Sequence, residues 1–292
     1  MSERRDQPQE QPAGSERLEW QAGKQAHRYL SDNAAEAYDA SYANSNFSTG
    51  LYMAYELDTI DRAVALVGAA GGTAIDLGCG TGRDTFHFYQ NFDQVTGYDF
   101  SQNMITVANR NRDQHDAATV NFIQRDVDAE RLAGISDVSV DFINSGFGMG
   151  SFIEDLDGLL GDVRRVLRPG GIFTISFYNS DALVNQVEEL DWTPSLSARV
   201  DREKGSLHVN FNGNEYDIAA RPYSMQEAKE LLGKHLTVEE LSSFPTLSSL
   251  LPNKLFNNPK IRELARLVDY DIRFNESVGG GPYITAICRK AV

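Results

Sequence analysis

Thr73-Ala74-Ile75-Asp76-Leu77-Gly78-Cys79-Gly80-Thr81-Gly82, running on into Arg83, Asp84 and Thr85, is the stretch on which the reading of the whole chain turns. Ala74, Ile75 and Leu77 make a short apolar run, three glycines follow at alternate positions, and a helix-compatible segment begins at once. The pattern predicts strand, tight turn and helix. Glycine suits such a turn because it adopts positive φ and lets a ligand approach without a Cβ, while the helix that follows offers unpaired N–H groups. By itself the turn is a generic seat for a phosphate or nucleotide, or an ordinary βα connection.

On either side of that stretch, composition narrows the options. The 292 residues suit one large α/β domain, and 41% apolar with 24% charged residues is the balance of an ordinary globular chain. No apolar run is long enough to span a bilayer, and Met1 to Gly14 is polar with no signal-peptide core, so the expectation is a cytoplasmic protein with no membrane partner. A formal charge of −15 opposes nucleic-acid binding, which needs clustered basic surface. Cys79 and Cys288 give neither a disulfide framework nor metal-ligand spacing. No metal is expected.

Residues 1–16 are polar and carry almost nothing to bury, which predicts a mobile tail ahead of a single domain over 17–292. Within that domain 17–70 reads as an N-terminal helical lid: one or two short amphipathic helices to about Ala43, a polar loop, then a helix from about Leu51 to Val67. After Gly71 and Gly72, strand and helix patterns alternate. Strands are predicted at Thr73 to Leu77, Gln94 to Asp99, Val120 to Arg125, Val140 to Ser145 and Gly171 to Tyr178. Helices fall between them at Arg83 to Gln90, Ser101 to Asn111 with Ser101 as N-cap, and Asp155 to Leu167. Alternation of this kind predicts a doubly wound, Rossmann-like sheet whose functional residues sit just after the strands. Residues 181–221 read as an inserted cap with a hairpin at Asn212-Gly213, and 245–281 as a second insertion with a helix near Lys260 to Tyr270. Thr237 to Phe244 and Tyr283 to Arg289 look like the last strands.

Asp99 closes the second strand about 20 residues beyond the glycine turn, a spacing that suits hydrogen bonding to ribose hydroxyls. Asp126 closes the third; its carboxylate could accept from an exocyclic amine while the Val127 N–H serves a ring nitrogen. Together they describe a site for an adenosine-like group.

With these residues in place the chain resembles the class I S-adenosylmethionine-dependent methyltransferases. The resemblance rests on Ile75 to Gly82, on Gly97-Tyr98-Asp99-Phe100-Ser101 followed by Met104 and Ala108, on Arg125-Asp126-Val127, and on Val166-Leu167-Arg168-Pro169-Gly170-Gly171. It covers about Thr73 to Tyr178. It implies a mostly parallel sheet with one antiparallel strand near the C-terminus and S-adenosylmethionine as cofactor. Carried over by position, Gly78, Gly80 and Gly82 would bring backbone to the methionine part and Asp76 would support its ammonium end. Asp99 would hold the ribose, Phe100 and Met104 would pack on adenine, and Asp126 with Val127 would meet its polar edge. Asn144 would line the passage to the methyl group.

Methyl transfer from a sulfonium is a direct displacement, for which alignment and exclusion of water suffice unless the acceptor must lose a proton. The five histidines, His27, His87, His115, His208 and His235, are the general-base candidates by chemistry. His208 in the cap and Tyr178 after the fifth strand are favoured by location. Tyr38, Tyr42, Phe47, Tyr52, Phe147, Met149, Phe152 and Trp192 are expected around the acceptor, which predicts a small hydrophobic or aromatic substrate bound to O, N or C chemistry. Two other readings remain open at this stage. One is a nicotinamide-dependent oxidoreductase, although its turn reads G-x-G-x-x-G and here the third glycine comes one position earlier. The other is a module that binds S-adenosylmethionine without transfer.

Overall fold

The computed structural model describes residues 13–43, 45–68, 71–186, 198–211, 213–275 and 280–292. Three helices come first: α1 (Ala13–Ala34), α2 (Tyr38–Ala43) and α3 (Phe47–Val67). The alternating region follows as β1 (Thr73–Leu77), α4 (Arg83–Phe88), β2 (Gln94–Asp99), α5 (Gln102–Gln114), β3 (Val120–Gln124), α6 (Val127–Glu130), β4 (Val140–Ser145), α7 (Leu156–Val166) and β5 (Leu167–Tyr178). Then come α8 (Leu183–Gln186), β6 (Ala198–Asp201), β7 (Ser206–Phe211), β8 (Asn214–Ala219), α9 (Met225–Gly233), β9 (Thr237–Phe244), α10 (Leu247–Leu250), α11 (Pro259–Ile272) and β10 (Tyr283–Arg289).

Among the described residues the strands form a seven-stranded sheet in the order β3-β2-β1-β4-β5-β10-β9 and a separate three-stranded sheet, β6-β7-β8. The pairs from β3 through β5 are parallel, and β10 runs antiparallel to both β5 and β9. The expected antiparallel strand is therefore in place. Strand order reverses between β1 and β4, so a crevice opens beyond their carboxyl ends, where the glycine turn lies.

Strand alternation assigns the two faces of the large sheet. Ile75, Leu77, Ile143, Phe173 and Ile175 pack with Leu159, Leu160 and Val163 of α7 and with Ala228 and Leu232 of α9. Their neighbours one residue away, Ala74, Phe142 and Ile172, turn to the other face against Ile60 and Ala63 of α3 and Ile105 and Ala108 of α5. Each large apolar side chain buried in this way stabilises the fold by about 1.5–3 kcal/mol. Caps fix the helix starts: the Ser101 side chain accepts from Met104 N, Asp155 from Gly158 N, and Ser224 forms a capping box with Glu227.

Several boundaries differ from the sequence reading. α3 begins at Phe47 instead of Leu51, because the Asn46 side chain accepts from Thr49 N and caps it there. It packs on the sheet, with Ile60 and Ala63 against Ala74, Phe142 and Ile172. α1 is one helix of 22 residues and starts inside the stretch expected to be mobile, at Ala13; residues 1–12 lie outside the described residues. What supports so long and polar a helix is docking. Gly23 lies so close to β8 that a Cβ there would stand 2.5 Å from the Ala219 backbone N. The cap hairpin is present, with Phe211 paired to Asn214, although Asn212 is outside the described residues, and β6 adds a strand that the sequence reading lacked.

Candidate functional site

All three turn glycines have positive φ: 73° at Gly78, 52° at Gly80 and 91° at Gly82. Gly78 N and Cys79 N both donate to Tyr98 O, which fastens the turn to the end of β2. Gly80 has open space where a Cβ would go, and its N–H donates to Asp99 Oδ2 at 3.0 Å. Asp99 also accepts from Ser101 N at 2.8 Å, and burial pushes its carboxyl up to about 6. Gly82 does something else. It caps α4 and abuts the Phe86 and Phe122 rings, so it shapes the turn from behind instead of meeting a ligand.

A cavity of about 770 Å³ opens at this point, within the range of small-molecule sites. Its floor brings together Gly78, Gly80, Asp99, Phe100, Met104, Asp126 and Val127, all expected there. Its upper wall holds Tyr38, Tyr42, Phe147, Met149, Phe152 and Tyr178, also expected. Tyr42 meets Phe147 edge-on at 5.0 Å, and Phe152 meets Tyr178 edge-on at 5.7 Å. The cap closes the far side with Leu207, Val209, Phe211 and Ile218.

Other expected residues stand elsewhere. Asp76 is 1% exposed and accepts from Thr85 Oγ1 at 2.5 Å and Asn144 Nδ2 at 2.8 Å; Asn144 accepts from Thr174 Oγ1. Both therefore lie one layer beneath the cavity wall, bracing the strand ends, and not on the wall as the sequence reading had them. Tyr52 is buried behind Phe147, stacked at 3.8 Å on Tyr283, and Phe47 packs on Phe256 away from the cavity. Trp192 lies outside the described residues. His208 is a correction of the same kind. Leu207 and Val209 on either side of it face the cavity, so strand alternation turns His208 outward, where Nδ1 is 2.8 Å from Asp217. Tyr178 does reach the cavity, but burial and neighbouring tyrosines hold its hydroxyl well above its usual range, which makes it a donor and not a base.

The sequence reading missed two groups. Lys24 pairs with Asp126 at 2.9 Å and Asp128 at 2.7 Å, and Arg28 pairs with Asp126 at 3.0 Å while lying over the Phe100 ring. α1 is thereby tied across the floor. The second group is Glu56, Arg83 and Asp84. Arg83 donates to Glu56 at 2.6 Å and to Asp84 at 2.7 Å, and Glu56 accepts from Phe147 N. Burial first and the Asp84 charge second raise the Glu56 carboxyl to about 7; the same causes raise Asp76 to about 7. A Cβ on Gly146, on the cavity wall, would meet both the Asp84 and Glu56 carboxylates, so this acid pair lies directly behind it. The only signal in the sequence was Arg83-Asp84 next to the turn; Glu56 looked like a polar face of a packed helix.

A fold of this topology with adenosine-type acids after β2 and β3 defines the class, and comparison agrees. Residues 69–230 match the family model described as a methyltransferase domain, and the chain belongs to the class I S-adenosylmethionine-dependent methyltransferases. It is 32% identical over 195 residues to the malonyl-[acyl-carrier protein] O-methyltransferase of Pectobacterium atrosepticum, covering 65% of this chain and 66% of that one. It is 28% identical over 156 residues to a Saccharomyces cerevisiae protein assigned as an S-adenosylmethionine-dependent methyltransferase, covering 52% of each. The chain spans about half the length of the curated relatives it matches first. In three dimensions it resembles a Listeria monocytogenes protein assigned to the same activity, with a TM-score of 0.56, 18% identity, and coverage of 83% of this chain and 100% of the other. At that identity the likeness speaks for the fold alone.

Proposed function

We propose that this protein transfers a methyl group from S-adenosylmethionine to an O, N or C atom of a small hydrophobic or aromatic molecule. The observation that carries the reading is a single cavity with Gly78, Gly80, Asp99, Phe100, Met104, Asp126 and Val127 on one side and an aromatic wall on the other. The donor set fits the cofactor. Asp99, with two backbone donors already bound, keeps lone pairs for ribose hydroxyls; Gly80 leaves backbone open; Phe100 and Met104 offer apolar surface for a purine. When bound, the cofactor supplies an electrophilic methyl on a sulfonium. The chain's own residues then have to orient the acceptor, and the aromatic wall with α1 and the cap above it keeps water out. Asp76, Asn144 and the Glu56–Arg83–Asp84 group hold the strand ends rigid beneath.

With the reading goes a cytoplasmic enzyme for a diffusible substrate and not for nucleic acid, in keeping with the −15 charge. Among the described residues no helix is long and apolar enough to cross a membrane. Family membership removes the basis for the nicotinamide reading. Calorimetry with S-adenosylmethionine, S-adenosylhomocysteine and NAD, followed by S-adenosylhomocysteine release over phenols, amines and acids, tests the proposal. Micromolar binding of the first two with turnover of at least one acceptor class is expected. Binding without turnover of any class would favour a module that holds the cofactor only, and binding of NAD alone would end the reading.

A further inference from the structure

α1 presents Lys24, His27, Leu30, Ser31 and Ala34 to the cavity, the spacing that one face of a helix gives. Lys24 is engaged by Asp126 and Asp128. His27 is not engaged: its ring lies 5.0 Å from Phe100 and 4.4 Å from Phe152, and among the described residues neither ring nitrogen has a hydrogen-bond partner. His27 is only partly buried and lines the cavity, so a ligand there can supply the hydrogen bond that the protein does not. Its place is equally specific. Phe100 belongs to the floor with Asp99 and Met104, and Phe152 belongs to the wall with Tyr178, so His27 stands at the seam between the two compartments.

Charge is distributed unevenly around that seam. Lys24, Asp99, Arg125, Asp126 and Asp128 come from α1 and the ends of β2 and β3, on the floor side. On the wall side the described lining is uncharged, with Leu207, Val209, Phe211 and Ile218 opposite Phe147, Phe152 and Tyr178, and Ser41, Ser45, Asn46, Thr49 and Asn210 as its polar members. We infer that the wall side takes a neutral hydroxylated aromatic molecule, a phenol, and that His27 is the base that receives its hydroxyl proton. The inference rests on the methyl-transfer reading above and names the acceptor class for it.

In the step, the phenol oxygen forms its bond to the methyl carbon as the carbon–sulfur bond breaks. The sulfur keeps that electron pair and becomes a neutral thioether, and the hydroxyl proton moves to an imidazole nitrogen. A neutral amine attacks with a free lone pair and has no need of such a group; a phenol does. Burial first and the Lys24 charge second hold the imidazole down to about 4, so at neutral pH it is unprotonated and able to accept. A weak base is sufficient, because an ether oxygen that still carries its proton is a far stronger acid than imidazolium. The imidazolium then loses its proton readily to water.

The test uses the full chain with 2-naphthol and substituted phenols as probes, and anilines of the same ring size as the contrast. His27→Phe keeps the ring packing against Phe100 and Phe152; His27→Ala opens a hole. Wild type is expected to methylate phenols. His27→Phe should bind S-adenosylhomocysteine within about twofold of wild type, lose ~100-fold in kcat on phenols, and bind 2-naphthol more weakly in the S-adenosylhomocysteine complex. Tens of millimolar imidazole should restore part of the turnover of His27→Ala. Undiminished phenol turnover by His27→Phe overturns the role of His27. Methylation of anilines but of no phenol by wild type overturns the acceptor class and leaves methyl transfer standing. Failure of wild type to bind S-adenosylmethionine or S-adenosylhomocysteine takes down the methyl-transfer reading itself.

Discussion

At the floor of the cavity, Gly78, Gly80 and Asp99 are held by backbone N–H groups of the same two strand ends: Gly78 N and Cys79 N on Tyr98 O, Gly80 N and Ser101 N on Asp99. At the roof, α1 and α2 are held by side chains that reach far along the chain: Lys24 to Asp128, Asp32 to Ser101, Glu36 to Arg110 and Asp39 to Thr81. The floor's own links all lie between the ends of β1 and β2 and the turns that follow them. The roof is held by these polar links together with the docking of Gly23 on β8 and the packing of Leu30 and Ala35. A seat built from neighbouring strand ends under a separately docked cover is an arrangement suited to cofactor exchange at the cover and exclusion of water beneath it.

The strongest way to break the contrast is to damage the floor. Asp99→Ala removes the acceptor of two backbone N–H groups and the carboxylate proposed for the ribose, and a hydrogen bond to a charged group is worth about 1.5–3 kcal/mol. S-adenosylhomocysteine affinity should fall ~10–100-fold by calorimetry. Affinity within twofold of wild type would mean that the ribose is held elsewhere.

Damage to the roof should act on a rate. Lys24→Met takes the ammonium partner from Asp128, whose side chain is 7% exposed, and leaves Asp126, at 20%, paired with Arg28 alone. Loss of one member of a shielded charge pair acts mainly on dissociation. S-adenosylhomocysteine release in stopped flow should speed up by about tenfold, and its sensitivity to salt should diminish. Equal release rates in the two proteins would show that α1 is not the cover.

The same contrast explains what could be read from the sequence. The turn at Gly78 to Gly82, the Ser101 cap and the position of Asp99 and Asp126 just after their strands were legible because each follows from spacing within a local strand–turn–helix unit. The strands themselves were legible because each carries its own apolar pattern, whereas the antiparallel place of β10 in the sheet came only from the family resemblance. Gly23, Lys24, Arg28 and His27 were not. Their meaning comes from Ala219, Asp126 and Phe152, residues far away in the chain, and within α1 they are only a glycine, two cations and a histidine on a polar helix. Asp76 and Asn144 were placed one layer too high, because the end of a strand was read as its surface. Their hydrogen bonds to Thr85, Thr174 and each other keep both beneath the turn.

A smaller effect lies under the floor. Burial raises Glu56 and Asp76 to about 7 and Asp99 to about 6, above their unfolded values. For an acid whose folded pKa is raised, the favourable contribution is complete below the unfolded pKa and disappears as pH rises through the folded one. The ligand-free protein should therefore lose stability to urea between about pH 4 and pH 7 from these groups, and level off above. Glu56→Gln should flatten that slope, since the amide has no charge to bury. An unchanged slope would assign the pH dependence to surface charge.

The smallest effect is expected at His208, the histidine that location alone made the best base. β7 puts Leu207 and Val209 on the cavity side, and alternation along the strand turns His208 between them the other way, opposite Asp217. His208 is left on the outer face of the cap sheet, beside Asp217 and Glu215, with a side chain 39% exposed. Exposed ion pairs contribute about 0–1 kcal/mol, so His208→Ala should change kcat and KM by less than about twofold and leave Tm nearly unmoved. His27→Ala in the same assay should lose most of its turnover, although both residues are histidines in the cover of the cavity. If His208→Ala were instead the variant that lost turnover, β7 would have to sit one residue out of the register seen here, with Leu207 and Val209 facing water. That slip would expose an apolar stripe and bury His208 in its place, and it is the cost of this exchange that fixes the strand as it stands.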